Sequence, residues 1–184
     1  MQYRVFVGIG GMLAAAAACT TTRAVSATAE PMAATTAPMR DTAGRDLGTV
    51  RVLLTSTGAR LTGALTGLPP GEHGFHFHEF GRCDRGGAEP FESAGGHYNP
   101  AGREHGTLNS AGPHAGDLPN VTVGADGRLT LPDSGLTAPM SETARTGLFD
   151  ADGTTLMVHA GPDDYRTDPS GDSGARVACG ALTR

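Results

Sequence analysis

Lysine is absent from the 184 residues, and all 14 basic residues are arginine. With 28 glycines and abundant alanine, this reads as the base composition of the genome rather than a functional signature. Tryptophan is also absent, and aromatic residues make up only 5% of the chain. Positive charge is in deficit, giving a formal net charge of −5. That excludes a nucleic-acid binder, which needs a basic face. Beyond the N-terminus no run is long and apolar enough to span a bilayer. No long segment repeats with helical spacing either, so a helical domain is not expected. Cysteines number three, Cys19, Cys83 and Cys179.

What is present begins with a processing segment. Arg4 supplies a slight positive start, "VFVGIGGMLAAAAA" an apolar stretch, and "AAAC" ends at Cys19. This pattern resembles a bacterial lipoprotein signal over residues 1–19, with Cys19 as the lipidated residue. A plain secretory signal cut near Ala18 is the alternative. Export implies an oxidising compartment, where two cysteines pair and one is left over. Lipidation of Cys19 would leave Cys83 and Cys179 free to pair. Residues 20–42, rich in Ala, Thr and Pro without apolar periodicity, read as a disordered tether, with Met32 and Met39 as ordinary tether residues. The folded domain is expected over residues 43–184.

From Leu47 the texture changes to short runs rich in Val, Leu and Thr: "TVRVLL", "RLTGALTG", "GFHFHEF", "NVTVGADGRLTLP" and "TTLMVHA". Turn signals separate them, including Asp126-Gly127 and Asp152-Gly153. Regularly spaced short strands predict an all-β fold, an antiparallel sandwich or barrel. Two long segments interrupt the pattern, Gly81–Asn120 and Gly161–Ala175. Loops of that length inside a domain are usually functional.

The stretch "GFHFHEFG" alternates two phenylalanines with two histidines. In a strand, Phe75 and Phe77 share one face, suited to a core, and His76 and His78 share the other. Two neighbouring imidazoles are a start for a metal site, although a half-buried strand with a polar face reads equally well from this stretch alone. Most of the other histidines lie in or beside the long loops: His97, His105, His114 with Asp117 nearby, and His159 at a strand end. His73 reads as a solvated turn residue.

The segments "GFHFHEFG", "GGHYNP", "EHG", "HAGDLPN", "VHAGPDD" and "GARVACGAL" resemble the copper/zinc superoxide dismutase family in order and approximate spacing. The resemblance covers roughly Leu47 to Leu182 and points to the bacterial branch. It implies a Greek-key β-sandwich, or flattened eight-stranded barrel, with two long functional loops. It further implies copper held by His76, His78, His97 and His159, and zinc held by His97, His105, His114 and Asp117, with His97 bridging. Arg176 matches the arginine that guides the anion, Asp163 a carboxylate that orients ligand rings, and Cys83 and Cys179 the family disulfide. The implied reaction takes two superoxide radicals and two protons to O2 and hydrogen peroxide by copper cycling beside a structural zinc, in defence of the cell envelope.

Imidazole suits both metals, four nitrogens suit tetragonal copper, and three nitrogens with a carboxylate suit closed tetrahedral zinc. The missing lysines leave superoxide steering open, with Arg82, Arg85 and Arg166 as expected substitutes. A homodimer and a monomer are both compatible with the bacterial branch. A metal carrier of the same fold, without turnover, is the second reading. It has no use for a bridging imidazole or an anion-guiding arginine. A zinc hydrolase would need an open water position and ranks below both.

Overall fold

The computed structural model describes residues 1–2 and 33–182. Ten strands follow one another: β1 (Ala33–Asp41), β2 (Asp46–Thr55), β3 (Gly58–Thr66), β4 (Gly71–His73), β5 (Phe75–His78), β6 (Val121–Val123), β7 (Arg128–Thr130), β8 (Leu136–Pro139), β9 (Thr155–His159) and β10 (Arg176–Ala181). Every strand pairing is antiparallel. The main sheet has eight strands in the order β5-β9-β10-β1-β2-β3-β7, with β8 also paired to β3. The remaining two, β4 and β6, pair with each other. The expected all-β Greek-key barrel architecture is the one observed.

Alternation builds the core. Val50, Val52 and Leu54 of β2, Leu61 and Leu65 of β3, Phe75 and Phe77 of β5, and Leu156 and Val158 of β9 all join one buried apolar cluster. A second, smaller cluster groups Phe91, Ala94, Met157 and Cys179 against Cys83. It lies where the loop after β5 meets the outer face of β9 and β10. The Cys83–Cys179 disulfide is formed there, with Cα atoms 5.7 Å apart.

Two expectations need correction. A tether is expected over residues 20–42, yet Ala33–Asp41 is a full strand between β2 and β10. Its burial alternates, with Thr35, Ala37, Met39 and Asp41 facing in. Only two of those four are apolar, so the period-2 signal was too weak to read against an Ala/Thr/Pro background. Met39 is therefore a core residue with no exposure. The tether expected over 20–32, and Cys19, lie outside the described residues.

His73 is the second correction. It is 2% exposed rather than solvated. Its ring spans the carbonyl oxygens of His159 and Pro69, 2.8 Å from each. A buried ring is accommodated there because a backbone carbonyl lies within hydrogen-bond reach of its N–H. One short helix, α1 (Glu142–Gly147), was also not foreseen. Ser141 caps it by accepting the Ala144 N–H at 3.2 Å.

Candidate metal centre

The sheet supplies rigid mounts for the site. Phe75 and Phe77 enter the core, which turns His76 and His78 to the opposite face, as their alternation requires. His159 ends the neighbouring β9. The long loop after β5 is sewn back onto that strand by the bridges His78↔His97 and His76↔Asp117. Tyr98 N–H donates to Phe77 O at 2.8 Å and Phe77 N–H to Gly116 O at 2.9 Å. These bonds carry His97, His105, His114 and Asp117 to the strand face. All six histidines are 7% exposed or less, so both strand faces are buried.

Two four-residue groups result, each with its potential ligand atoms within 4.8 Å of one another. The first is His76, His78, His97 and His159; the second is His97, His105, His114 and Asp117. His97 belongs to both. In the second group Asp117 Oδ1 lies 2.9 Å from His97 Nδ1, 3.1 Å from His105 Nδ1 and 3.2 Å from His114 Nδ1. The His97 and His114 Nδ1 atoms are 3.5 Å apart. A tetrahedral ion with ligands at about 2.0–2.2 Å has ligand–ligand edges of about 3.3–3.6 Å. The set therefore needs only a slight expansion to take zinc. In the first group His78 Nε2 and His159 Nε2 are 3.3 Å apart.

The outward nitrogens of these rings are tied, which fixes which nitrogen faces inward. His78 Nδ1 faces Gly95 O at 3.0 Å, and His159 Nδ1 faces Gly174 O at 3.0 Å. Asp163 holds two rings at once: its Oδ2 lies 2.7 Å from His76 Nε2 and its Oδ1 2.9 Å from His105 Nε2. His76 Nδ1 and His97 Nε2 are buried without a hydrogen-bond partner. Orphaned buried nitrogens are costly unless something occupies the space they face. Their position among imidazoles and one carboxylate fits copper in the first group and zinc in the second.

The electrostatics agree. Burial holds His78 well below the usual histidine range, His97 at about 4 and His159 at about 3, so these rings are neutral and ready to donate lone pairs. Burial also works against charge on Asp117 and Asp163. Hydrogen bonds from their histidine neighbours outweigh it and keep both carboxyls well below the ordinary carboxylate range. Burial likewise opposes a charged His105, but its contacts with Asp117 and Asp163 raise it to about 9. Two buried carboxylates thus demand positive charge.

An open cleft of about 410 Å³ reaches His78, His97 and His159. Arg176 lines it, its guanidinium donating to Phe91 O and Gly95 O at 2.6 Å each. Gly95 O is thus shared by Arg176 and His78. Glu79 and Glu89 also line the cleft. The arginines expected to replace the missing lysines do not. Arg82 lies beside Asp152, Arg85 packs over Gly44 in the β1–β2 turn, and the Arg166 backbone is bound by Asp164. The loops turn at those points, so nearness in sequence does not bring these side chains to the cleft wall. The carbonyls of Gly95 and Gly174 were also not foreseen, since a backbone acceptor leaves no mark in the side-chain sequence.

A family model described as copper/zinc superoxide dismutase matches residues 47–182. A relative named superoxide dismutase [Cu-Zn] 2, from Aquifex aeolicus, is 39% identical over 147 residues, covering 79% of this chain and 84% of its own. Two solved structures share the fold. The copper/zinc superoxide dismutase of Brucella abortus aligns with TM-score 0.65 at 32% identity, covering 82% of this chain and all of the other. A superoxide dismutase-like protein of Bacillus subtilis aligns with TM-score 0.70 at 38% identity, covering 80% and 97%. With the matched region spanning most of β2, strands β3 to β10, both long loops and every histidine of the two groups, the chain belongs to the copper/zinc superoxide dismutase family.

Proposed function

We propose that this chain is an exported superoxide dismutase that protects the cell envelope, with copper on His76, His78, His97 and His159 and zinc on His97, His105, His114 and Asp117. The observation that carries the reading is His97, whose two ring nitrogens face two different ligand groups. Copper, when bound, supplies one-electron exchange between two superoxide anions, and zinc supplies a fixed charge. The chain's own residues do the rest. Arg176 offers a rigid fork of N–H donors beside the cleft, suited to a small anion. Asp163 holds His76 and His105 in one orientation and so keeps the two groups in mutual register. His97 Nε2 can hold a proton whenever it is not ligating. Two superoxides and two protons then leave as O2 and hydrogen peroxide.

Export rests on the N-terminal pattern, with lipidation at Cys19 as its stronger form and a plain secretory cut as the other. Mass spectrometry of the protein's N-terminus from membranes separates them. A monomer and a homodimer both remain compatible with this reading, and light scattering decides between them.

The functional test is dismutation by the full processed chain, loaded with both metals, with metal content measured on the same sample. Fast turnover at equimolar copper and zinc, lost with copper in His159→Ala while zinc stays, is the expected outcome. Full loading without activity above free copper would move the protein to a carrier role.

A further inference from the structure

Most of the inward-facing rings have their outward nitrogen tied, by Asp163, Gly95 O or Gly174 O. His114 is different. Its Nδ1 faces Asp117 Oδ1, so its Nε2 points out of the group. Among the described residues the one carboxylate near that nitrogen is Asp168, with Oδ1 at 3.8 Å. The same Oδ1 accepts the backbone N–H of His105 at 2.7 Å. One oxygen of the Gly161–Ala175 loop therefore binds one member of the second group through its backbone and stands beyond hydrogen-bond reach of the ring of another.

We propose that Asp168 is a positioning residue for the zinc group. It holds His105 from outside by a backbone hydrogen bond and faces the His114 ring as a nearby charge, whereas Asp163 hydrogen-bonds both of its rings. This rests on the ligand assignment above. Removing an outer partner of a metal ligand typically costs 10–100-fold in metal affinity; here the partner is a hydrogen bond to the His105 backbone, together with a carboxylate charge 3.8 Å from the His114 ring. The His114 side chain is 6% exposed and that of Asp168 is 49% exposed. Water at the rim screens the contact, which puts the effect at the lower end, about tenfold. The loop thus divides its labour. Asp163 ties the copper group to the zinc group, and Asp168 acts on the zinc group alone.

The test uses the full metal-free chain, with zinc and copper affinities measured by competition against chromophoric chelators. Asp168→Asn keeps an acceptor for the His105 N–H but removes the charge, whereas Asp168→Ala removes both. Zinc binding about tenfold weaker in Asp168→Asn and weaker still in Asp168→Ala, with copper affinity unchanged, is the expected result. Cobalt(II) bound in place of zinc gives a second readout. Its visible bands should shift in Asp168→Asn, because the charge facing His114 is lost while the backbone bond survives. Wild-type zinc affinity and an unshifted cobalt spectrum in Asp168→Asn would overturn the proposal, leaving Asp168 a loop anchor only. If wild-type chain binds zinc and His114→Ala binds it equally well, the ligand assignment falls, and the proposal with it.

Discussion

At the scale of single residues, four of the six rings are held from behind, and small changes behind a ring should reach the metals. Asp163→Ala frees two rings at once and should weaken both copper and zinc by about 10–100-fold in chelator competition. Gly171 is the other sensitive position. It sits at φ 66°, and a Cβ there would collide with the Asp163 carboxylate and His105 Nε2. Gly171→Ala should destabilise the chain by about 1–3 kcal/mol in denaturant titration and weaken zinc. His105 gives a pH signature to the metal-free chain. Its pKa is raised above the unfolded value of about 6.5, to about 9 in the fold. The stability it contributes is present below the lower value and lost as pH climbs through the upper one. Denaturation midpoints of the metal-free chain should therefore fall between pH 6.5 and 9, and His105→Gln should flatten that part of the profile.

At the scale of elements, strands hold the rings and loops close over them, and the disulfide fastens the largest loop to the sheet. Cys83 lies in the loop and Cys179 in β10, far apart in sequence, so losing the bond releases a long segment. Cys83→Ser with Cys179→Ser should cost about 2–5 kcal/mol. It should also loosen Arg176, because Phe91 O and Gly95 O belong to the same loop. Much of this level was legible in advance. The alternation in "GFHFHEFG" told which side of β5 was core, and the histidines it pointed to are among those the fold gathers into two candidate metal groups. What escaped was structure whose logic is not written in side-chain type. β1 faces inward through Thr35 and Asp41 as much as through Ala37 and Met39. His73 is buried against two carbonyls, and those carbonyls are silent in sequence.

At the scale of the whole molecule, charge works against the anion. The chain's own formal charge is −5 before any metal is added, and within the cleft Glu79 and Glu89 accompany Arg176, among the described residues the one cationic side chain lining it beside the candidate metal groups. Salt screens such fields over about 10 Å at 0.1 M. Turnover under diffusion control should then rise, not fall, as ionic strength increases from low values. Glu79→Gln with Glu89→Gln should raise the low-salt rate and flatten its salt dependence, while Arg82→Gln, Arg85→Gln and Arg166→Gln should change it little. The sheet order has a consequence of its own. β1, at the start of the domain, pairs with β10, at its end. That pairing closes the longest loop the domain contains, the slow step expected of a topology rich in distant contacts. Until the final strand arrives, β1 has only β2 to lie against, and Cys83 has no partner, because Cys179 rides on that same strand. Chain closure and oxidation are thus one late event, and a protein interrupted before it would carry both an open sheet edge and a free thiol.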